Sequence, residues 1–179
     1  MEAKLVLHDK TFSSFITEEA ILQRVKELAD SVNRDYDGLN PLLVGVLNGA
    51  YMLVSDLSKH INIPCEVGFM KVASYEGTES TGKLTMVFEL ALSVKGRHVL
   101  LIEDIVDTGL TAKYLLENIN KQEPTSVKLL ALLQKPDALK VPVKADYIGF
   151  EIPNKFVVGY GLDYNEQGRN LSAIYSLDS

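Results

Sequence analysis

Short apolar runs alternate with amphipathic stretches along most of this chain. Residues 17–32 place apolar side chains three and four positions apart, which predicts a helix with Thr17 as its N-cap. Short apolar runs, several of them rich in branched side chains, predict buried strands. Strands are expected at 42–47, 64–72, 84–90, 98–102, 126–133, 147–150 and 156–160, and further helices at 50–60 and 112–120. Strands that alternate with helices predict an α/β fold with a mostly parallel central sheet flanked by helices. Leu22 is one of the apolar positions of the predicted helix at 17–32, and Tyr51 is expected to face inward on the predicted helix at 50–60.

The composition is that of an ordinary globular protein. Apolar residues make up 46% and charged residues 23% of the 179 residues, so we expect one domain over residues 1–179 with a substantial core. The net charge of −6 disfavours nucleic acid and anionic membranes as partners, so local groups would have to bind any anionic ligand. The first residues lack a secretion signal, no apolar run could span a membrane, and Cys65 is the single cysteine. We therefore expect a cytoplasmic enzyme.

The segment from Val99 to Thr111 contains the strongest chemical signal. A buried strand leads into two acids, a third acid follows three positions later, and a turn of small and hydroxyl residues then opens a predicted helix. The acids are Glu103, Asp104 and Asp107, and the turn contains Thr108, Gly109 and Thr111. Backbone N–H groups at a helix N-terminus bind phosphate, and carboxylates bind sugar hydroxyls, a hard cation or a proton. Helix capping or a solvated strand end would explain one such acid, but the whole cluster favours a site for a phosphorylated sugar.

Polar residues follow two other predicted strands. Asn48 and Gly49 follow strand 42–47, and Lys135 follows strand 126–133. Ligands of parallel sheets bind beyond the carboxyl ends of the strands, so we expect these residues to meet the acidic segment. A lysine there can donate to a carbonyl oxygen, although a solvated loop lysine is the default. Residues 73–83 are predicted to form a polar loop long enough to act as a lid.

These segments, in this order and spacing, resemble the signatures of the type I phosphoribosyltransferases. The resemblance runs from Leu42 to Leu171, and the part after Phe156 is similar to members that act on 6-oxopurines. It implies the type I phosphoribosyltransferase fold, with a small hood built from the N- and C-terminal segments. It also implies a purine salvage enzyme that transfers the 5-phosphoribosyl group from phosphoribosyl pyrophosphate to N9 of hypoxanthine or guanine, giving IMP or GMP and pyrophosphate. Mg²⁺ would be the cofactor, and the chain would form a homodimer or homotetramer.

The resemblance also implies a role for each matching residue. Asp107 would be the general base near purine N7, Lys135 would donate to the 6-oxo group, Phe156 would stack on the ring, and Val157 would contact the base edge through its backbone. The phosphoribosyl site would comprise Glu103, Asp104, Ile105, Val106, Asp107, Thr108, Gly109, Leu110 and Thr111, and the pyrophosphate site Leu47, Asn48, Gly49 and Arg169. The purine site would comprise Lys135, Phe156, Val157 and Asp163, the lid Ser74 and Tyr75, and the metal site Glu103, Asp104 and Asp163.

Two details of the pyrophosphate and phosphate segments also follow from the resemblance. The Leu47–Asn48 peptide bond is expected to be cis. Asn48 and Leu110 stand where some relatives carry lysine, so backbone donors would have to supply more of the binding to phosphate groups.

Three other functions stay open from the sequence. An RNA-binding regulator with this fold would need a basic face, which the net charge of −6 disfavours. A phosphoribosyltransferase for xanthine or orotate would share most of these motifs. A module that binds sugar phosphates without chemistry would need neither Asp107 nor a lid.

Overall fold

A computed structural model describes residues 4–74 and 84–178 of the chain. In chain order its elements are β1 (Leu5–Leu7), β2 (Lys10–Ile16), α1 (Glu18–Asp35), β3 (Leu42–Leu47), α2 (Tyr51–Ser58), β4 (Glu66–Ser74), β5 (Leu84–Phe88), β6 (His98–Val106), α3 (Leu110–Asn120), β7 (Ser126–Gln134), a 3₁₀ turn at Pro136–Ala138, β8 (Tyr147–Glu151), β9 (Val157–Val158) and β10 (Ile174–Leu177).

Six strands form the central sheet in the order β5–β4–β3–β6–β7–β8. Every neighbouring pair is parallel except β4 and β5, which are antiparallel. Helices α1 and α2 cover one face of this sheet, and α3 packs on the other. The run from Val99 to Ile102 in β6 has no solvent exposure, because helices cover its two faces and strands flank it. The predicted α/β fold is confirmed.

The helix predictions were right in position and wrong in some details. Thr17 caps α1, where its hydroxyl accepts a hydrogen bond from the Ala20 N–H at 3.3 Å. This helix continues three residues beyond the predicted end, to Asp35, and α2 is two residues shorter than predicted at its C-terminal end. Leu22, one of the apolar positions of α1, and Tyr51, which was expected to face inward, are each 39% exposed. No helix in the described part is long and apolar enough to cross a membrane.

A second, antiparallel sheet joins the two termini in the order β1–β2–β10–β9. This is the hood that the resemblance implied. The hydrophobic pattern had predicted no strand at β1, β2 or β10, and it had predicted a five-residue strand at 156–160 where β9 has only two residues. Strand β2 reads Lys-Thr-Phe-Ser-Ser-Phe-Ile, so hydroxyl residues hide its apolar alternation.

The sheet topology determines where the candidate chemistry lies. Strands β3, β6 and β7 are neighbours, and they end at Leu47, Val106 and Gln134. The polar segments that follow them therefore meet at one edge of the sheet, as expected for parallel strands.

Candidate active site

Residues 103–111 are called here the 103–111 turn. All of them except Leu110 line a cavity of about 250 Å³, together with Ala112. Gly109 is the N-cap of α3 and has a left-handed backbone with φ of 79°, which favours glycine. Helix α3 starts at Leu110, so the N–H groups of its first turn have no partner within the helix. The turn thus combines a helix N-terminus with the hydroxyl groups of Thr108 and Thr111, which suits a phosphate group.

Glu103 and Asp104 lie inside β6 and not beyond its end, contrary to the prediction that placed the strand end at residue 102. Glu103 is only 4% exposed, and its Oε1 atom has no hydrogen-bond partner among the described residues. Burial and the neighbouring Asp104 raise the pKa of Glu103 well above its ordinary value. Burial also raises the pKa of Asp104 to about 6, against a smaller lowering by the Ile105 N–H, which donates to Asp104 Oδ1 at 2.9 Å. For both carboxyl groups, burial outweighs the groups that favour the charged form.

These carboxyl groups suit a hard cation that a substrate helps to hold. In the described ranges, no cluster of three or more acidic, histidine or cysteine side chains could hold a metal ion by itself. Mg²⁺ commonly binds to one or two carboxylates and completes its coordination with water and substrate phosphates. The unpartnered oxygen of Glu103 and the raised pKa of Asp104 fit such a shared site.

Residues Leu47–Gly49, called here the 47–49 loop, lie directly against the acids. The Leu47–Asn48 peptide is cis, as the resemblance implied. A side chain at Gly49 would overlap the Asp104 carboxylate, so the loop backbone packs onto that acid. A second cavity of about 400 Å³ is lined by Leu47 and Gly49 of the 47–49 loop, by residues near the end of β4, and by Asp104 and Thr111. Because Asp104 and Thr111 line both cavities, the 103–111 turn and the 47–49 loop border one cleft.

Lys71 is a site residue that the sequence reasoning missed. It lies opposite Leu47 in the parallel pair β3–β4, and its Nζ atom donates to Asn48 Oδ1 at 3.4 Å. The chain thus brings a cation from the neighbouring strand to the loop position where some relatives carry lysine. The sequence did carry a signal for this role, because Lys71 is a charged residue near the end of the predicted apolar strand 64–72.

Lys135 and Asp107 form an ion pair that the sequence did not predict. The Lys135 Nζ atom lies 2.7 Å from Asp107 Oδ2, and the two side chains are 6% and 46% exposed. Lys135 was expected to face a carbonyl oxygen of the ligand, but in this structure it donates to the carboxylate. Val106 pairs with Gln134 at the ends of β6 and β7, so Asp107 and Lys135, which directly follow these strands, lie side by side.

Asp163 and Arg169 meet in the C-terminal loop. Arg169 Nη2 lies 2.8 Å from Asp163 Oδ1, and Arg169 Nη1 donates to the carbonyl oxygen of Gly161 at 3.0 Å. Gly161 has φ of 99°, and a side chain there would overlap the carbonyl oxygen of Gly49. The C-terminal loop is therefore packed against the 47–49 loop, close enough that Arg169 lowers and Asp163 raises the pKa of Asp104.

Phe156 and Val157 do not line either cavity, and Tyr75 lies outside the described part. The Phe156 side chain is 45% exposed, and its aromatic neighbours are Phe12 and Tyr164. Val157 is buried in β9. Ser74 is the last residue of β4, whereas Tyr75 belongs to residues 75–83, which lie outside the described residues, so the lid stays a prediction.

Known proteins resemble this chain in sequence and structure. It matches the phosphoribosyl transferase domain family over residues 13–165. It is 47% identical to a hypoxanthine-guanine phosphoribosyltransferase of Bacillus subtilis, over 89% of each chain. It is 46% identical to the bifunctional protein TilS/HprT of Listeria innocua over 94% of this chain, but it spans only 26% of that protein's length. A hypoxanthine phosphoribosyltransferase structure from Staphylococcus aureus superposes with a TM-score of 0.88 at 42% identity, covering 93% of this chain and 91% of the other.

Proposed function

This chain belongs to the phosphoribosyl transferase family, and we propose that it is a purine salvage enzyme. It transfers the 5-phosphoribosyl group from phosphoribosyl pyrophosphate to N9 of hypoxanthine, guanine or both, and it releases pyrophosphate with IMP or GMP. The main support is the cavity lined by residues 103–109, Thr111 and Ala112, one of which, Glu103, has a buried carboxyl oxygen without a hydrogen-bond partner among the described residues. The likeness to named hypoxanthine-guanine phosphoribosyltransferases supports the choice of base.

In this proposal the donor binds across the two cavities. The N–H groups at the start of α3, with the hydroxyl groups of Thr108 and Thr111, bind the 5′-phosphate. Glu103 and Asp104 bind the ribose hydroxyls and would hold one Mg²⁺, and Asp163 would hold a second. When bound, Mg²⁺ supplies positive charge to the ribose and pyrophosphate oxygens.

The reaction breaks the bond between C1′ and pyrophosphate and forms the bond to purine N9. Positive charge develops on the sugar, and negative charge develops on the leaving group. Arg169 and the backbone N–H groups of the 47–49 loop stabilise the leaving pyrophosphate, since donors already fixed by packing need no reorganisation during the reaction. Alignment of base and sugar in one cleft supplies much of the remaining acceleration.

The ion pair of Lys135 and Asp107 selects the base and accepts its proton. When a 6-oxopurine enters, the Lys135 ammonium donates to the 6-oxo group, and Asp107 accepts the proton that the purine loses as N9 attacks. Adenine presents an amino group to the same ammonium, which leaves a buried donor facing a donor. Phe156 stacks on the ring, and Val157 contacts its edge through the backbone.

A substrate panel tests this function. The purified chain is mixed with phosphoribosyl pyrophosphate, Mg²⁺ and hypoxanthine, guanine, xanthine, adenine or orotate, and nucleotide formation is followed by ultraviolet absorbance. We expect IMP or GMP to form rapidly and adenine and orotate to react poorly. The absence of IMP and GMP would contradict the proposal, and comparable rates with adenine would contradict the role of Lys135.

Three broader parts of the proposal are the single domain over residues 1–179, the homodimeric or homotetrameric state and the cytoplasmic location. The oligomeric state can be measured by analytical ultracentrifugation of the purified chain.

A further inference from the structure

The structure assigns a positioning role to the turn between β1 and β2. We propose that this turn, taken here as His8 and Asp9 with Lys10 at the start of β2, holds the ring of Tyr164 and that Tyr164 in turn holds Phe156 as the stacking surface for the base. This inference rests on the proposed function, because it takes Phe156 as a contact of the purine.

Three consecutive residues of one turn converge on the same aromatic ring. The Tyr164 hydroxyl donates to Asp9 Oδ1 at 2.8 Å, and the Lys10 Nζ atom lies 5.2 Å from the ring centre. The His8 ring meets the Tyr164 ring edge-on, with centres 5.7 Å apart and an interplanar angle of 79°. A hydrogen bond, a cation–π contact and an aromatic contact together fix the orientation of the ring.

Tyr164 transmits this orientation to Phe156. Their ring centres lie 5.8 Å apart with an interplanar angle of 84°, so the edge of one ring meets the face of the other. Phe12 completes the cluster, at 6.2 Å from Phe156 and 6.3 Å from Tyr164, and it is fully buried. Phe156 itself is 45% exposed, so one part of its ring remains open to a ligand while the other part is supported.

Side-chain contacts contribute to the orientation of the Phe156 and Tyr164 rings because both residues lie in segments with little regular secondary structure. Phe156 precedes β9, a strand of only two residues, and Tyr164 lies in a turn closed by hydrogen bonds with Gln167 in both directions. Asn165 and Glu166 in that turn have left-handed backbones. The side chains of Tyr164 and Phe12 both link these segments to the N-terminal hairpin, and only Tyr164 contacts the turn between β1 and β2 as well as Phe156.

A comparison of two ligands tests the inference. GMP and ribose 5-phosphate share the phosphate and the sugar but differ in the base, so their dissociation constants separate the base contact from the rest of the site. We expect Tyr164→Leu to weaken GMP binding about three- to tenfold, the range of an aromatic pair, and to leave ribose 5-phosphate binding unchanged. In steady-state kinetics, KM for hypoxanthine should rise, whereas KM for phosphoribosyl pyrophosphate and kcat should stay the same.

Two milder variants separate positioning from folding. Tyr164→Phe and Asp9→Ala each break the same hydrogen bond, so each should weaken GMP binding slightly, and the double variant should be no weaker than either single variant. Tyr147→Phe is the matched control, because it removes a hydroxyl that donates to Asp35 at 2.8 Å at the start of β8, at the opposite end of the strand from the site.

Each result decides the question. Unchanged GMP affinity in Tyr164→Leu and Tyr164→Phe, or equal losses of GMP and ribose 5-phosphate affinity in Tyr164→Phe, would overturn the positioning role. A wild-type chain that binds neither GMP nor IMP more tightly than ribose 5-phosphate would instead overturn the proposed base site, and the positioning role with it.

Discussion

Replacing Asp104 with asparagine should stabilise the ligand-free protein at neutral pH, although Asp104 lines both cavities of the proposed site. Burial raises the pKa of this carboxyl from an ordinary 3.8 to about 6. Each pKa unit corresponds to about 1.4 kcal/mol, so holding the charged form in the folded protein costs up to about 3 kcal/mol. Asparagine has a similar shape and can still accept the hydrogen bond from the Ile105 N–H.

The sign of this effect gives it a characteristic pH dependence. The pKa of Asp104 is higher in the folded than in the unfolded chain, so the folded state retains the proton to a higher pH. The destabilisation is absent below pH 3.8, grows as pH rises towards about 6, and is complete above that value. Glu103 adds to the effect, because the Asp104 charge is one of the two causes that raise its pKa.

The measurement is urea unfolding of wild type and Asp104→Asn at about pH 4 and about pH 8. The variant should gain stability over wild type at the higher pH and little at the lower one. Asp30→Asn, on an exposed position of α1, is the matched control and should change nothing at either pH. Calorimetry with phosphoribosyl pyrophosphate and Mg²⁺ should show weakened binding by Asp104→Asn. A variant that is less stable than wild type at about pH 8, or equally stabilised at both pH values, would refute this reasoning.

Three further substitutions test other parts of the site. Asp107→Asn should lower turnover about 10²- to 10⁴-fold with donor binding retained, as measured by steady-state kinetics. It should also lower the free energy of unfolding in urea by about 1–3 kcal/mol, because the buried Lys135 donor loses its carboxylate. Lys71→Met should raise KM for phosphoribosyl pyrophosphate several-fold, because it removes a positive charge that lies beside the 47–49 loop, whereas Lys71→Arg should keep KM near the wild-type value. An unchanged KM in Lys71→Met would exclude a role for that charge. Gly161→Ala should destabilise the protein more than Gly38→Ala does. Both glycines have left-handed backbones, but a side chain at Gly38 meets open space. Equal losses in the free energy of unfolding in urea would contradict the close packing of the C-terminal loop against the 47–49 loop.

The central sheet could be predicted because its strands are buried on both faces, and burial selects continuous apolar runs. The same rule failed at the end of β6. The apolar run stops at Ile102, but the ladder continues, with Glu103 opposite Ala131 and Val106 opposite Gln134. A buried carboxyl group is costly for the folded protein, and such exceptions to hydrophobic patterning are expected at functional sites. The acids that gave the strongest functional signal therefore also caused the error in the strand.

The hydrophobic pattern of the sequence could not predict contacts between distant segments. Strand β2 pairs with β10, at the other end of the chain, and its hydroxyl residues hide the alternation that would have indicated a strand. The ion pair of Lys135 with Asp107 and the contact of Lys71 with Asn48 depend on the register of neighbouring parallel strands. Register is set by packing of whole strand faces, so a sequence gives the residues at a strand end but not their partners across it.

The charges of the site explain why donor and metal should bind together. In the cleft, Lys135 forms a salt bridge with Asp107, and Arg169 forms one with Asp163. Glu103 and Asp104 form no salt bridge among the described residues. A polyanionic donor alone would bring further negative charge to these two acids, and a cation alone would find too few ligands. The two ligands together neutralise each other and complete a coordination shell that the protein leaves unfinished. The raised pKa values of the ligand-free acids and the proposed affinity for a metal-bound donor therefore have the same cause, which is buried negative charge without a protein partner.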